Sequence, residues 1–159
     1  MITVTRRTSI EGVTPEAIFA ALSDPQRIGE LLPRVQKVEL LNRDEAARRA
    51  TLVTYMGLGG IFGAVRCEGE LTWAEPREIC FQVRSPLPVE TRWTLTADVN
   101  GTDLQASMGI DLEPMLGPFA SFVPAQQVSE MLAAELEAAL GAVAARMGER
   151  ELLEQAVAA

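Results

Sequence analysis

The sequence predicts an α+β domain in which a curved antiparallel sheet of seven strands wraps around a long C-terminal helix. Three observations predict it: strand-like alternation near the start, six further strand patterns between residues 34 and 112, and a long amphipathic stripe after residue 120. A sheet with one apolar face needs a cover, and the terminal helix can supply it. We expect the order strand, two short helices, six strands and a long helix around an apolar interior.

The first elements carry clear boundary signals. Residues 2–10 alternate and are rich in β-branched side chains, which is typical of a strand. Thr14 before Pro15, and Asp24 before Pro25, are the N-cap and first position of two short helices. The second helix should end before Pro33, because the residue preceding a proline disfavours helical dihedrals.

Turn signals separate the six later strands, which we place at 34–42, 48–56, 61–73, 78–85, 90–99 and 102–112. Asn100-Gly101 suits a two-residue hairpin turn, and the other turns are placed at 75–77 and around Leu87. These turns predict two cross-strand rows of inward side chains. One row is Leu71, Phe81, Trp93 and Met108, and the next is Trp73, Ile79, Leu95 and Ala106.

The terminal helix is predicted over 120–147, with Pro124 in or near its first turn. Its apolar stripe repeats at steps of three or four and consists of Val128, Leu132, Leu136, Leu140, Val143 and Met147. Leu132, Leu136 and Leu140 should face the first cross-strand row. We therefore expect one domain over 1–148 and a tail over 149–159 that frays.

Composition excludes several kinds of partner. The 159 residues carry a net charge of −8, from 14 basic and 22 acidic side chains, which argues against nucleic acid and against docking on anionic lipid. No stretch is apolar enough for an integral membrane span, and no secretion signal follows Met1. With two cysteines that form no framework, the cytoplasm is the expected compartment.

The chain contains no histidine, which removes the commonest general base and the commonest zinc ligand. The acidic residues Glu130, Glu135 and Glu137 are interpreted as a solvated helix face and not as a metal site. The sequence therefore predicts no catalytic residue, no metal and no cofactor, and it favours a binding protein over an enzyme.

Three segments carry a resemblance to a known superfamily: residues 13–25, residues 31–40 and the Ala- and Leu-rich terminal helix. In this order the chain resembles the START-like, or SRPBCC, superfamily, whose fold is the helix-grip. The resemblance implies a cavity between sheet and helix that takes hydrophobic or aromatic molecules. Within the superfamily, the chain is similar to coenzyme Q-binding proteins, to polyketide cyclases/dehydrases and, through residues 60–69, to an accessory protein of carbon monoxide dehydrogenase.

The candidate ligand-binding residues are those predicted to face this cavity or to border its entrance. They are Tyr55, Phe62, Leu71, Trp73, Phe81, Trp93, Leu95, Met108, Phe119, Phe122, Leu132 and Leu136. Each also has a plainer interpretation. The aromatic row could be ordinary core, Tyr55 could point to solvent, and segment 115–123 could be a packed lead-in to the helix instead of a lid.

The leading functional hypothesis is binding or transport of a small hydrophobic molecule, such as a quinone, isoprenoid, lipid or polyketide-like compound. A polyketide cyclase/dehydrase-like enzyme is the first alternative. The second alternative is an accessory protein that acts through a protein partner, as the likeness to the carbon monoxide dehydrogenase accessory protein suggests. Ligand identity and oligomeric state stay open.

Overall fold

A computed structural model describes residues 1–57, 63–85 and 88–158. Their elements follow the predicted order of one strand, two helices, six strands and a long helix, with two short helical turns added before the last helix. The strands are β1 (Ile2–Glu11), β2 (Val35–Asp44), β3 (Arg49–Gly57), β4 (Ala64–Ala74), β5 (Glu78–Ser85), β6 (Val89–Asp98) and β7 (Gly101–Ile110). The helices are α1 (Pro15–Leu22), α2 (Pro25–Leu31), α3 (Glu113–Leu116), a 3₁₀ helix (Gly117–Phe122) and α4 (Ala125–Ala158).

The seven strands form one antiparallel sheet in the order β1-β7-β6-β5-β4-β3-β2. Each strand from β2 to β7 pairs with its neighbours in sequence, whereas β1 crosses over to pair with β7 from Ile2–Ile110 to Glu11–Gly101. Helix α4 packs mainly against β1 and also against β7. The predicted α+β architecture, a seven-stranded curved sheet with a long C-terminal helix, is confirmed.

The two short helices begin where their caps predict. The Thr14 hydroxyl accepts a hydrogen bond from the Ala17 amide at 3.2 Å, and the Asp24 carboxylate accepts one from the Gln26 amide at 3.0 Å. Each cap satisfies an amide that has no partner within the helix. Apolar side chains of both helices then join the core, namely Ile18, Phe19, Leu22, Ile28 and Leu31.

The predicted register is correct between β4 and β5, where Leu71 pairs with Phe81 and Trp73 with Ile79. It is wrong by two residues in the next two hairpins. Phe81 lies opposite Thr91 and not Trp93, and Trp93 lies opposite Ala106 and not Met108. The observed row is therefore Leu71, Phe81, Thr91 and Met108. A slip of two residues keeps every side chain on its face, so hydrophobic alternation cannot distinguish the two registers.

Gly101 explains the error at the last hairpin. The two-residue turn is Val99–Asn100, and Gly101 already pairs with Asp98 as the first residue of β7. A Cβ at Gly101 would collide with the backbone oxygen of Ile10 on β1. This glycine is required by the close approach of β1, and not by the dihedral angles of a turn.

Helix α4 begins at Ala125, later than predicted, because Gly117–Phe122 forms a separate 3₁₀ helix. The first helical hydrogen bond runs from the Val128 amide to the Pro124 oxygen at 3.2 Å. The helix continues to Ala158, past the predicted end at 147. Its stripe is confirmed, since Val128 is half-buried and the other five predicted positions are buried: Leu132, Leu136, Leu140, Val143 and Met147.

Replacing Leu136 with alanine should lower the free energy of unfolding by about 2–5 kcal/mol, because the side chain is fully buried and its loss leaves a cavity. Met131→Ala on the same helix is the matched control, since Met131 is 56% exposed; it should cost less than about 0.5 kcal/mol. Urea denaturation followed by circular dichroism measures both. Equal losses would contradict the assignment of the stripe.

Gly101→Ala should destabilise the protein by about 1–3 kcal/mol, because the new methyl group must push β1 away from β7. Gly141→Ala provides the opposite control. No atom lies within 4 Å of a Cβ at this position in α4, and alanine is the better helix former by about 0.5–1 kcal/mol. Thermal and urea denaturation should show one variant less stable and the other more stable than the parent.

Candidate ligand-binding site

The sheet face that packs against α4 is termed the inner face. Alternation along β3 places Leu52, Thr54 and Met56 on it, and the register with β4 adds Leu71 and Trp73 on the same side. The opposite, outer face carries ion pairs instead: Glu70 accepts from both Arg49 and Arg84 at 2.9 Å. The sheet therefore has the predicted apolar and wet faces.

Burial changes along the strands of the inner face. The half near the turns at residues 45–48, 75–77 and 99–100, termed the closed end, is fully buried. Its side chains are Leu52, Leu71, Trp73, Ile79, Trp93, Leu95, Leu104 and Ala106. The other half, termed the open end, is only partly buried although it too is mostly apolar. Its side chains are Met56, Val65, Cys67, Phe81, Val83, Val89, Thr91 and Met108.

Arg43 covers the closed end. Its guanidinium carbon lies 4.8 Å from the centroid of the Trp73 ring, within the range of a cation–π contact. The same guanidinium donates to the Ser23 backbone oxygen at 3.3 Å and pairs with the Glu45 carboxylate. These contacts tie the α1–α2 junction to the sheet and seal this half of the interior.

A glycine shapes the open end. A Cβ at Gly69 would lie 3.0 Å from the Phe81 ring and 2.5 Å from the Gln82 backbone oxygen. Because the glycine offers no side chain there, the Phe81 ring extends across β4. Phe81 and Met108 are thus packed against the core on one side and partly exposed on the other.

Residues 111–123 lie at the open end, since they follow directly from the end of β7. Phe119 and Phe122 are 68% and 81% exposed, with ring centroids 6.3 Å apart. Beneath this segment is a cavity of about 380 Å³. Its walls come from both chain regions that meet there, namely Met1, Ile2, residues 110–113, Gly117, Pro118, Ala120 and Ser121.

Two polar side chains face each other on the inner face, Thr54 of β3 and Cys67 of β4. Burial raises the pKa of the Cys67 thiol, and the neighbouring Thr54 hydroxyl opposes that shift only in part. The thiol is therefore neutral at physiological pH. Cys80 lies on the outer face opposite Thr72, and both cysteines are free, as the predicted registers imply.

The predicted site residues separate into groups. The closed end and the α4 stripe bury Leu71, Trp73, Trp93, Leu95, Leu132 and Leu136, whereas Phe81 and Met108 lie at the open end. Phe119 and Phe122 stand on the surface of the 3₁₀ helix, away from the predicted rows. Three other predicted features lie outside the described residues: Phe62, the turn residue Leu87, and Gly59 and Gly60 at the centre of the glycine-rich loop.

Tyr55 is not brought together with these residues. It alternates with Thr54 and pairs with Lys37 and Arg66, so it lies on the outer face. The Lys37 ammonium is 5.6 Å from the centroid of its ring. The plainer interpretation, in which this tyrosine points to solvent, fits the register.

Sequence reasoning missed six residues of the open end: Met56, Val65, Cys67, Val83, Val89 and Thr91. Alternation in β3, β4 and β6 could have placed them on the inner face. It could not have shown that they are left partly uncovered, because that depends on where α4 crosses the sheet.

Neither a metal centre nor a membrane-crossing helix is found in the part of the chain that the structure describes. Over that part, no group of three or more Asp, Glu or Cys side chains is placed to hold a metal ion. None of the helices there combines the length and the apolar character needed to cross a bilayer. The candidate site is therefore defined by apolar surface and two small polar groups.

Comparison with known proteins supports the same fold. A family model described as polyketide cyclase/dehydrase and lipid transport matches residues 1–148. No curated protein sequence matches the chain. A START superfamily protein from Mycobacterium smegmatis superposes with a TM-score of 0.72 at 18% identity, over 92% of this chain and 97% of that one.

Two aromatase/cyclases are also similar. The Zhui aromatase/cyclase from a Streptomyces species has a TM-score of 0.72 at 15% identity, over 93% of this chain and 94% of that one. The di-domain StfQ of the steffimycin biosynthetic pathway has a TM-score of 0.72 at 14% identity, over 94% of this chain. The present chain spans 51% of StfQ. At such identities these likenesses concern the fold alone.

The sequence resemblance, the seven-stranded sheet closed by a long helix, and a family match over residues 1–148 agree with one another. The chain therefore belongs to the polyketide cyclase/dehydrase and lipid transport family, with a START-like helix-grip fold.

Proposed function

We propose that this protein binds and carries a small hydrophobic molecule between the inner face and α4, with the open end as the entrance. The observation that carries the proposal is the half-buried apolar strip at the open end, which continues into a fully buried closed end. Ligand sites are mostly apolar walls with a few polar groups, and Thr54 and Cys67 supply such groups here. A quinone, an isoprenoid, a lipid or a polyketide-like compound fits this chemistry.

The free energy for such binding comes from removing apolar surface from water. At about 25 cal/mol per Å², burying roughly 200 Å² of apolar surface contributes about 5 kcal/mol before the entropic costs of binding. The strip includes Phe81 and Met108, whose exposed parts gain this term only when a ligand covers them. We propose the cytoplasm as the compartment, where free thiols such as Cys67 persist.

A polyketide cyclase/dehydrase activity is the second candidate, favoured by the family description and by the two aromatase/cyclases of similar fold. Such an enzyme would need a group that moves protons within the site. Cys67 is poorly suited to act as a base, because its raised pKa keeps it protonated. This favours holding a ligand over converting it. A role through a protein partner, like that of the carbon monoxide dehydrogenase accessory protein, stays a prediction from the sequence.

Phe81→Ala should weaken binding of an uncharged hydrophobic fluorophore, N-phenyl-1-naphthylamine, about tenfold. The reason is the loss of roughly 1.4 kcal/mol of apolar contact at the open end. Met108→Ala should act in the same direction. Fluorescence titration of each purified variant measures the dissociation constant.

Tyr55→Ala is the matched control, because it removes a ring of similar size from the outer face of the same sheet. Its dissociation constant for the fluorophore should equal that of the parent. If Tyr55→Ala weakens binding as much as Phe81→Ala does, the site does not lie on the inner face.

Protein purified from its own host should carry a noncovalent hydrophobic adduct that native mass spectrometry detects and that organic extraction removes. Incubation with a linear polyketone thioester should leave its rate of cyclisation unchanged, as followed by liquid chromatography. An accelerated cyclisation that is lost in Cys67→Ala would instead establish the enzyme alternative.

A further inference from the structure

Thr54 has an unsatisfied hydroxyl in the interior. Its side chain is 3% exposed, and over the described residues no group meets the distance and angle requirements for a hydrogen bond to Thr54 Oγ1. The other two buried hydroxyls are satisfied: Ser23 Oγ donates to the Phe19 oxygen and Thr102 Oγ1 donates to the Val13 oxygen, each at 2.7 Å. Thr54 is therefore the exception among the buried polar side chains of the described chain.

The position of Thr54 relates this hydroxyl to the proposed site. Along β3 it lies between Leu52, which is buried at the closed end, and Met56, which is partly exposed at the open end. Its cross-strand neighbours are Val38 of β2 and Cys67 of β4. The hydroxyl thus lies on the inner face where full burial gives way to the open strip.

The neighbouring thiol does not remove the need for a partner. Cys67 Sγ already directs its proton to the Val65 backbone oxygen, at 3.8 Å. A buried hydroxyl without a partner is unfavourable, and valine would fill nearly the same volume without that cost. A free hydroxyl at the inner limit of an apolar site is well placed to receive a polar atom of whatever enters the site.

We propose that the Thr54 hydroxyl donates a hydrogen bond to a carbonyl oxygen of the bound molecule. This inference rests on the proposed function and narrows its ligand class. The molecule is a hydrophobic ketone, quinone or thioester that inserts with a carbonyl group leading, and not a plain hydrocarbon. Thr54 would then select the ligand and fix its depth, while the open strip supplies most of the affinity.

The test compares two rigid probes that differ at one carbon, fluorene and fluorenone, by displacement of N-phenyl-1-naphthylamine. In Thr54→Val, fluorenone should bind about 3- to 10-fold more weakly than in the parent, which is the range of one hydrogen bond. Fluorene should bind equally to both proteins. Thr54→Ser keeps the hydroxyl and should keep the affinity for fluorenone.

Thermal denaturation without ligand is the second readout. The melting temperature of Thr54→Val should rise by about 2–4 °C, because the variant no longer buries an unpaired hydroxyl. A lower melting temperature would overturn the proposal, since it would mean that the hydroxyl already has a partner in the free protein.

The possible failures are distinguishable. If Thr54→Val weakens fluorene and fluorenone equally, or neither, the hydrogen bond is absent although the hydrophobic site stands. If neither probe displaces the fluorophore from the parent protein, and the fluorophore itself fails to bind, the proposed function and this inference both fall.

Discussion

The pairing of β1 with β7 is the constraint on which the rest of the molecule depends. It joins the first strand to the last, from Ile2–Ile110 to Glu11–Gly101, and turns a simple meander into a sheet with a concave inner face. Helix α4 then packs chiefly on β1, so its position follows from this long-range pairing. The absence of a side chain at Gly101 lets the two strands approach. Because the contact spans nearly the whole domain, it also carries a large loop-closure cost.

The same geometry divides the inner face into two halves with different roles. At the closed end, α1, α2 and the middle of α4 complete a dense core, and Arg43 lies over Trp73. At the open end, apolar strands continue without equivalent cover. The interior thus stores most of its packing free energy in one half and leaves the other available for a ligand. Such a division lets residues at the entrance vary without loss of the fold.

Much of this fold could be predicted from the sequence, because the strongest signals are local. Thr14-Pro15 and Asp24-Pro25 are capping signals, and the α4 stripe is a helical period; all three were correct. Alternation also assigned the faces of β4 and β5. The hairpin after β6 was misplaced because Asn100-Gly101 satisfies turn chemistry equally well, while the deciding contact, Gly101 against Ile10, is distant in sequence.

The candidate site was harder to predict for a related reason. Periodicity says which side a residue faces but not whether another element covers it. Trp93 and Leu95 were therefore grouped with Phe81 and Met108, although the first pair is core and the second lies at the open end. Thr54 gave no sequence signal at all, since a threonine in a strand is ordinary; only its missing partner sets it apart.

The burial of both tryptophans at the closed end has a spectroscopic consequence. Trp73 and Trp93 are the only two in the chain, and they are 9% and 5% exposed. Their emission therefore reports the integrity of the packed half, including the contact with Arg43, and shifts to longer wavelength when that half unfolds. An occupant of the open half leaves this intrinsic signal largely unchanged, so the protein carries a built-in optical marker of folding that is separate from occupancy.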